Sequence, residues 1–223
     1  MDWTRQIDGY CERMGTGLWA EPVNAATNLA FLLAAVVMAR RLHVAGREGA
    51  DLRLAWLLVL CLAMIGIGSL LFHTAAQVWA ALLDVVPIGA FTLVYLYAAH
   101  RAFFGWGRAV SLLGALAFIP FAMAVSALFA PLIGGSAAYA ALPLAIFGYG
   151  AALSARAPRT ASGLVAGGVL LSLSITARAL DAPLCGVWPL GTHFLWHLLN
   201  ALMLAWMIEV YTRHMLAREG AGR

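Results

Sequence analysis

Residues 54–73 read LAWLLVLCLAMIGIGSLLFH, an apolar run without an aspartate, glutamate, lysine or arginine, closed by His73. An α-helix rises about 1.5 Å per residue and a bilayer's hydrocarbon core is about 30 Å thick, so such a run is long enough to span it. It shows none of the alternation of a membrane β-strand, so a helix is the spanning element. Outward from it, six more apolar blocks of near-spanning length can be drawn, at 22–39, 78–98, 109–130, 132–153, 162–180 and 190–211. The reading is an all-α fold, an integral membrane bundle of seven transmembrane helices.

Composition agrees. The 223 residues are 63% hydrophobic and 11% charged, where a soluble domain carries about 25% charged residues. Seven crossings use about 140 residues and leave about 80 for ends and loops. A soluble enzyme, a disordered chain and a fibrous protein are excluded. Ala130–Pro131 and Gly134–Gly135 predict a tight turn between the fourth and fifth blocks. No linker or repeat divides the chain, so residues 1–223 form a single domain, with an N-terminal segment at 1–19 and a tail at 214–223.

The fourteen basic residues are all arginine, scattered between apolar blocks. They are topology signals, and no nucleic-acid partner is implied. Eleven (Arg40, Arg41, Arg47, Arg53, Arg101, Arg108, Arg156, Arg159, Arg213, Arg218 and Arg223) fall on one side, against Arg5, Arg13 and Arg178 on the other. The N-terminus is therefore expected outside and the C-terminus in the cytoplasm. The segment Met1–Trp19 lacks the charged, apolar and cleavage regions of a signal peptide, so the first block is expected to insert by itself. Composition rich in alanine, arginine and glycine and free of lysine points to a high-GC bacterium, hence a bacterial inner membrane.

Ionisable groups at membrane depth are expensive, and each is a functional hypothesis. The expected topology brings His73, Asp84, His193 and His197 into one slab of the outer half of the membrane. His193 and His197 are one turn apart on one helix face, a spacing at which two imidazoles grip one metal. With His73 as third ligand, zinc with an open fourth position for water is the reading. Ser69 shares a face with His73 and could serve a developing oxyanion. Asp84 could act as general base or orient a ligand imidazole. Interfacial histidines and axial haem ligands are the rival readings, although i,i+4 neighbours sit poorly on opposite haem faces. His43, His100 and His214 read as interfacial. Glu21, Asn24 and Asn28 form a polar stripe, read as a helix start with amide bonds between helices; a calcium site is the sharper alternative. Cys11 and Cys185 share the outer face, where a disulfide can form; Cys61 reads as core.

The chain resembles the alkaline ceramidase family of seven-helix membrane hydrolases. The resemblance rests on Cys11-Glu12, Ala20-Glu21 with Asn24 and Asn28, Gly68-Ser69-Leu70-Leu71-Phe72-His73, Gln77, Leu82-Leu83-Asp84, Pro87, Asp181, Cys185 and His193-Phe194-Leu195-Trp196-His197. It implies zinc held by His73, His193 and His197, with Ser69 and Asp84 assisting. It also implies a Cys11–Cys185 disulfide and hydrolysis of the ceramide amide to a sphingoid base and a fatty acid. The implied partner is a membrane lipid substrate, and no protein partner is implied. Family members with a calcium site carry Asp-Trp before Cys-Glu and an asparagine after it. Here Gly9-Tyr10 and Met14 stand at those places, and a calcium ion would draw on Asp8, Glu12 and Glu21. The alternatives are a hydrolase of another lipid amide or ester, or a receptor-like protein with structural zinc.

Overall fold

The computed structural model describes residues 2–221. Met1, Gly222 and Arg223 lie outside them, and with them the ends of the expected 1–223 domain and the last of the counted arginines. Most of the described residues are helical, with α1 at Pro22–Thr27, α2 at Leu29–Ala45, α3 at Arg53–Ala75, α4 at Val78–Ala102, α5 at Arg108–Ile133, α6 at Ala141–Leu153, α7 at Pro158–Leu184 and α8 at His193–Ala221. α1 and α2 together make one span of membrane length, joined where Asn28 N–H bonds to Ala25 O and Phe31 N–H bonds to Asn28 O, both at three-residue spacing.

Among the described residues six helices are long and apolar enough to cross a membrane, and the fifth block forms a shorter apolar helix. It divides into a 3₁₀ turn, Gly134–Tyr139, and the 13-residue α6. Pro131 stays inside α5, and the chain turns at Gly134, whose φ of +53° suits glycine. Residues 214–221 of the expected tail continue α8, which runs unbroken to Ala221.

The helices form a ring in which neighbours in sequence pack together, closed by α8 against α2, α3 and α7. Small residues permit the close approaches. A Cβ on Gly163 would meet Val210 at 2.8 Å, and one on Gly167 would meet the Met207 sulfur at 2.5 Å. This is how membrane helices associate where no hydrophobic effect acts between them. Exposed side chains such as Leu33, Val37, Leu113, Met123 and Leu128 are apolar, as a lipid-facing surface requires. The N-terminal segment lies across the turn joining α3 to α4. Val78 N–H bonds to Arg5 O and Trp79 N–H to Trp3 O, while Ile7 N–H bonds to Ala76 O. These contacts satisfy amides that the start of α4 would leave bare.

Candidate active site

Three helix ends meet under the N-terminal segment. α3 delivers Ser69 and His73 from its last two turns, and only Ala76 and Gln77 separate it from α4, which carries Asp84 back alongside. The two helices touch backbone to backbone at this level. A Cβ on Gly68 would sit 1.9 Å from Leu83 O and 3.1 Å from Asp84 N, so glycine there is what lets Asp84 approach the Ser69–His73 face. α8 begins at His193. Its first amides are capped by Asp181 of α7, whose Oδ1 accepts from Thr192 N at 2.8 Å and His193 N at 2.9 Å. Gly191 precedes them with φ +69°, and a Cβ there would lie 2.1 Å from Asp181 Oδ1.

The histidines converge. His73, His193 and His197 are buried, and each offers a nitrogen within 4.8 Å of the others. His73 Nδ1 lies 2.6 Å from Glu21 Oε2. His197 Nδ1 lies 2.9 Å from Thr27 Oγ1, whose hydroxyl can donate to Val23 O at 2.8 Å or Asn24 O at 3.1 Å and so accepts from the imidazole. Both rings are thereby set as Nδ1–H tautomers, which leaves lone pairs on their Nε2 atoms. His73 Nε2, His193 Nδ1 and His197 Nε2 are buried without a hydrogen-bond partner. Three orphaned imidazole nitrogens in one place are the donor set of a metal cation, and zinc fits them. Among the described residues no fourth histidine, cysteine, aspartate or glutamate joins the group.

A polar collar surrounds the triad. Glu21 accepts from His73 and pairs with the buried Arg13, whose other nitrogens donate to Gly15 O at 3.0 Å and His73 O at 3.3 Å. Burial pushes the Glu21 carboxyl up, but the bonds from His73 and Arg13 outweigh it and hold the group below its ordinary value. Glu12 accepts from Val23 N at 2.6 Å and Asn24 N at 2.7 Å, at the start of α1. The carboxylates considered for calcium thus have protein partners, Arg13 supplying the positive charge beside Glu21. Asp8 is exposed, and the three do not form a metal-sized group among the described residues. Cys11 and Cys185 form the expected disulfide, and Cys11 N–H bonds to Asp181 Oδ2 at 3.0 Å. Cys61 is free and buried.

A cavity of about 570 Å³ opens beside the triad, lined by Asp84, His193, Tyr10, Tyr139, Arg178 and Trp196 among others. Tyr10 stacks on His193 with ring centroids 3.7 Å apart. Ser69 is buried one turn before His73 on α3, and Asp84 lines the cavity together with His193 and Arg178. All five residues expected at the site are therefore brought together. Sequence reasoning missed Tyr10, Thr27, Asp181 and Arg178 as parts of it, and placed Glu21 only in a helix start or a calcium site. Arg178 was legible by the same depth rule that found Asp84, but it was counted among the topology charges. His100 and His214, read as interfacial, have protein partners. His100 is buried, with Nε2 2.5 Å from the Tyr149 hydroxyl, and His214 meets Thr160 at 2.9 Å.

A family model described as Ceramidase matches residues 4–222 of the chain. A comparison with curated proteins returns no match.

Proposed function

The chain belongs to the ceramidase family, and on that premise we propose that it is a zinc-dependent intramembrane amidase cleaving ceramide or a ceramide-like lipid amide. The observation that carries the zinc reading is the set of three buried, partnerless imidazole nitrogens beside a cavity that also holds Asp84. His73, His193 and His197 would hold the ion. Zinc in such a site supplies Lewis acidity, which acidifies water and polarises a carbonyl.

The protein's own groups divide the remaining work. Asp84 accepts a proton from the attacking water, whose oxygen adds to the amide carbonyl carbon. The Ser69 hydroxyl donates to the carbonyl oxygen as it gains negative charge. Asp84 then passes its proton to the nitrogen as the C–N bond breaks, releasing a fatty acid and a sphingoid base. Glu21 and Thr27 hold two imidazoles in the tautomer that points lone pairs at the ion. Tyr10 packs over His193 and lines the cavity beside it.

The arginine asymmetry supports an inner-membrane protein whose triad lies toward the extracytoplasmic side, where the Cys11–Cys185 disulfide is at home. A structural zinc would be closed by a fourth protein ligand, and the triad has none among the described residues. The test is to incubate the purified chain with lipid amides and esters, with and without a zinc chelator, and read products by mass spectrometry. Chelator-sensitive release of a fatty acid from an amide is expected. Ester-only or chelator-indifferent activity would overturn the reading.

A further inference from the structure

Arg178 is the charge near the site that the proposed mechanism leaves unused. It leaves α7 in the half of the bundle that holds the triad and lines the same cavity as Asp84 and His193. No carboxylate lies within ion-pair distance of it among the described residues. Its guanidinium carbon sits 5.9, 5.4 and 5.8 Å from the ring centroids of Tyr10, Tyr139 and Trp196. These aromatic faces explain how a cation is tolerated here. They do not use its hydrogen-bonding power. Of five N–H donors, one reaches Ser136 Oγ at 2.9 Å and one the Tyr10 hydroxyl at 3.4 Å. The rest have no protein acceptor among the described residues.

An intramembrane arginine calls for a partner, and a planar fork with free donors matches an oxyanion held by two oxygens. Tyr10 links the fork to the chemistry, since it stacks on His193 and accepts from Arg178. An anion on Arg178 would therefore stand one aromatic ring away from the triad. Charge points the same way: Arg13 already balances Glu21, and a dication on three neutral imidazoles beside Arg178 and Asp84 leaves the pocket positive.

Resting on the amidase reading, we propose that Arg178 is a specificity-determining residue that binds a carboxylate of the lipid ligand. Two sources of that carboxylate fit the reaction. One is a lipid amide built on an amino acid, whose carboxylate lies three bonds from the scissile carbonyl carbon on the amine side. The other is the fatty acid that hydrolysis releases.

The test uses a matched pair, N-oleoylglycine and N-oleoylethanolamine, which differ in carboxylate against hydroxymethyl. The full-length, zinc-loaded protein is compared with Arg178→Gln and Arg178→Lys, each checked for helicity and zinc content. If substrate supplies the anion, kcat/KM for the glycine amide exceeds that for its partner by roughly ten- to a hundredfold in the parent, the scale of a charged hydrogen bond. That ratio then collapses toward one in Arg178→Gln and is partly kept in Arg178→Lys. If product supplies it, the ratio is near one throughout, while inhibition by oleate weakens at least about tenfold in Arg178→Gln. The proposal is overturned if Arg178→Gln slows both amides in parallel and leaves oleate inhibition unchanged. Should the parent hydrolyse neither of these amides nor ceramide, the amidase reading fails by itself. Calorimetric titration with oleate then decides on Arg178, equal affinity of parent and Arg178→Gln overturning it and a tenfold loss upholding it.

Discussion

His73 donates from Nδ1 to Glu21 Oε2 at 2.6 Å, a bond between residues 52 positions apart that ties the end of α3 to the start of α1. A carboxylate behind a ligand imidazole fixes its tautomer and raises its basicity, and loss of such a partner typically costs ten- to a hundredfold in metal affinity. Glu21→Gln should therefore weaken zinc binding by about that factor, read by competition with a chelator, while the chain stays helical by circular dichroism. Unchanged zinc affinity would remove Glu21 from the site's support.

Asp84 is assigned to proton transfer rather than to metal binding. Asp84→Asn should keep its zinc and lose roughly 10²- to 10⁴-fold in turnover, the usual worth of a positioned acid–base group. Metal analysis and kinetics on the same preparation separate the two roles. A variant that loses zinc would make Asp84 part of the metal's support instead.

The triad was legible because burying ionisable groups in a membrane is costly enough to be informative, and His73, Asp84, His193 and His197 were the few that stood at depth. The collar was not legible. Glu21 reaches His73, and Asp181 reaches Cys11 and the start of α8, only because loops fold back, and no helical periodicity encodes that. Arg178 was read as a topology charge because a charge count does not record depth. The 3₁₀ turn ahead of α6 was not legible for a related reason: hydropathy measures how apolar residues 132–153 are, not how their backbone winds through Gly134–Tyr139.

The approach of α3 to α4 makes a paired prediction. Gly68→Ala places a Cβ against Leu83 O and must part the two helices, so thermal stability should fall by about 1–3 kcal/mol or more, with activity falling as Asp84 withdraws. Gly89→Ala, on α4 with nothing within 4 Å of the added carbon, should be neutral or slightly stabilising. Equal effects at the two positions would contradict the close contact.

The Cys11–Cys185 bond joins residues 174 positions apart and lies beside Asp181, which caps α8. Cys11→Ser, Cys185→Ser and the double variant should lose the same stability, of about 2–4 kcal/mol, by thermal unfolding in detergent. The double variant should be no worse than either single one, since one bond is lost in each case. Additive losses would show that the cysteines act separately.

The central claim is that three orphaned imidazole nitrogens form a zinc site, and elemental analysis of the purified chain tests it most directly. Parent protein should carry about one zinc per chain, and His73→Ala, His193→Ala and His197→Ala should each carry far less while remaining helical. Parent protein that takes up no zinc when folded, or a triad variant that binds it as well as the parent, would contradict the account.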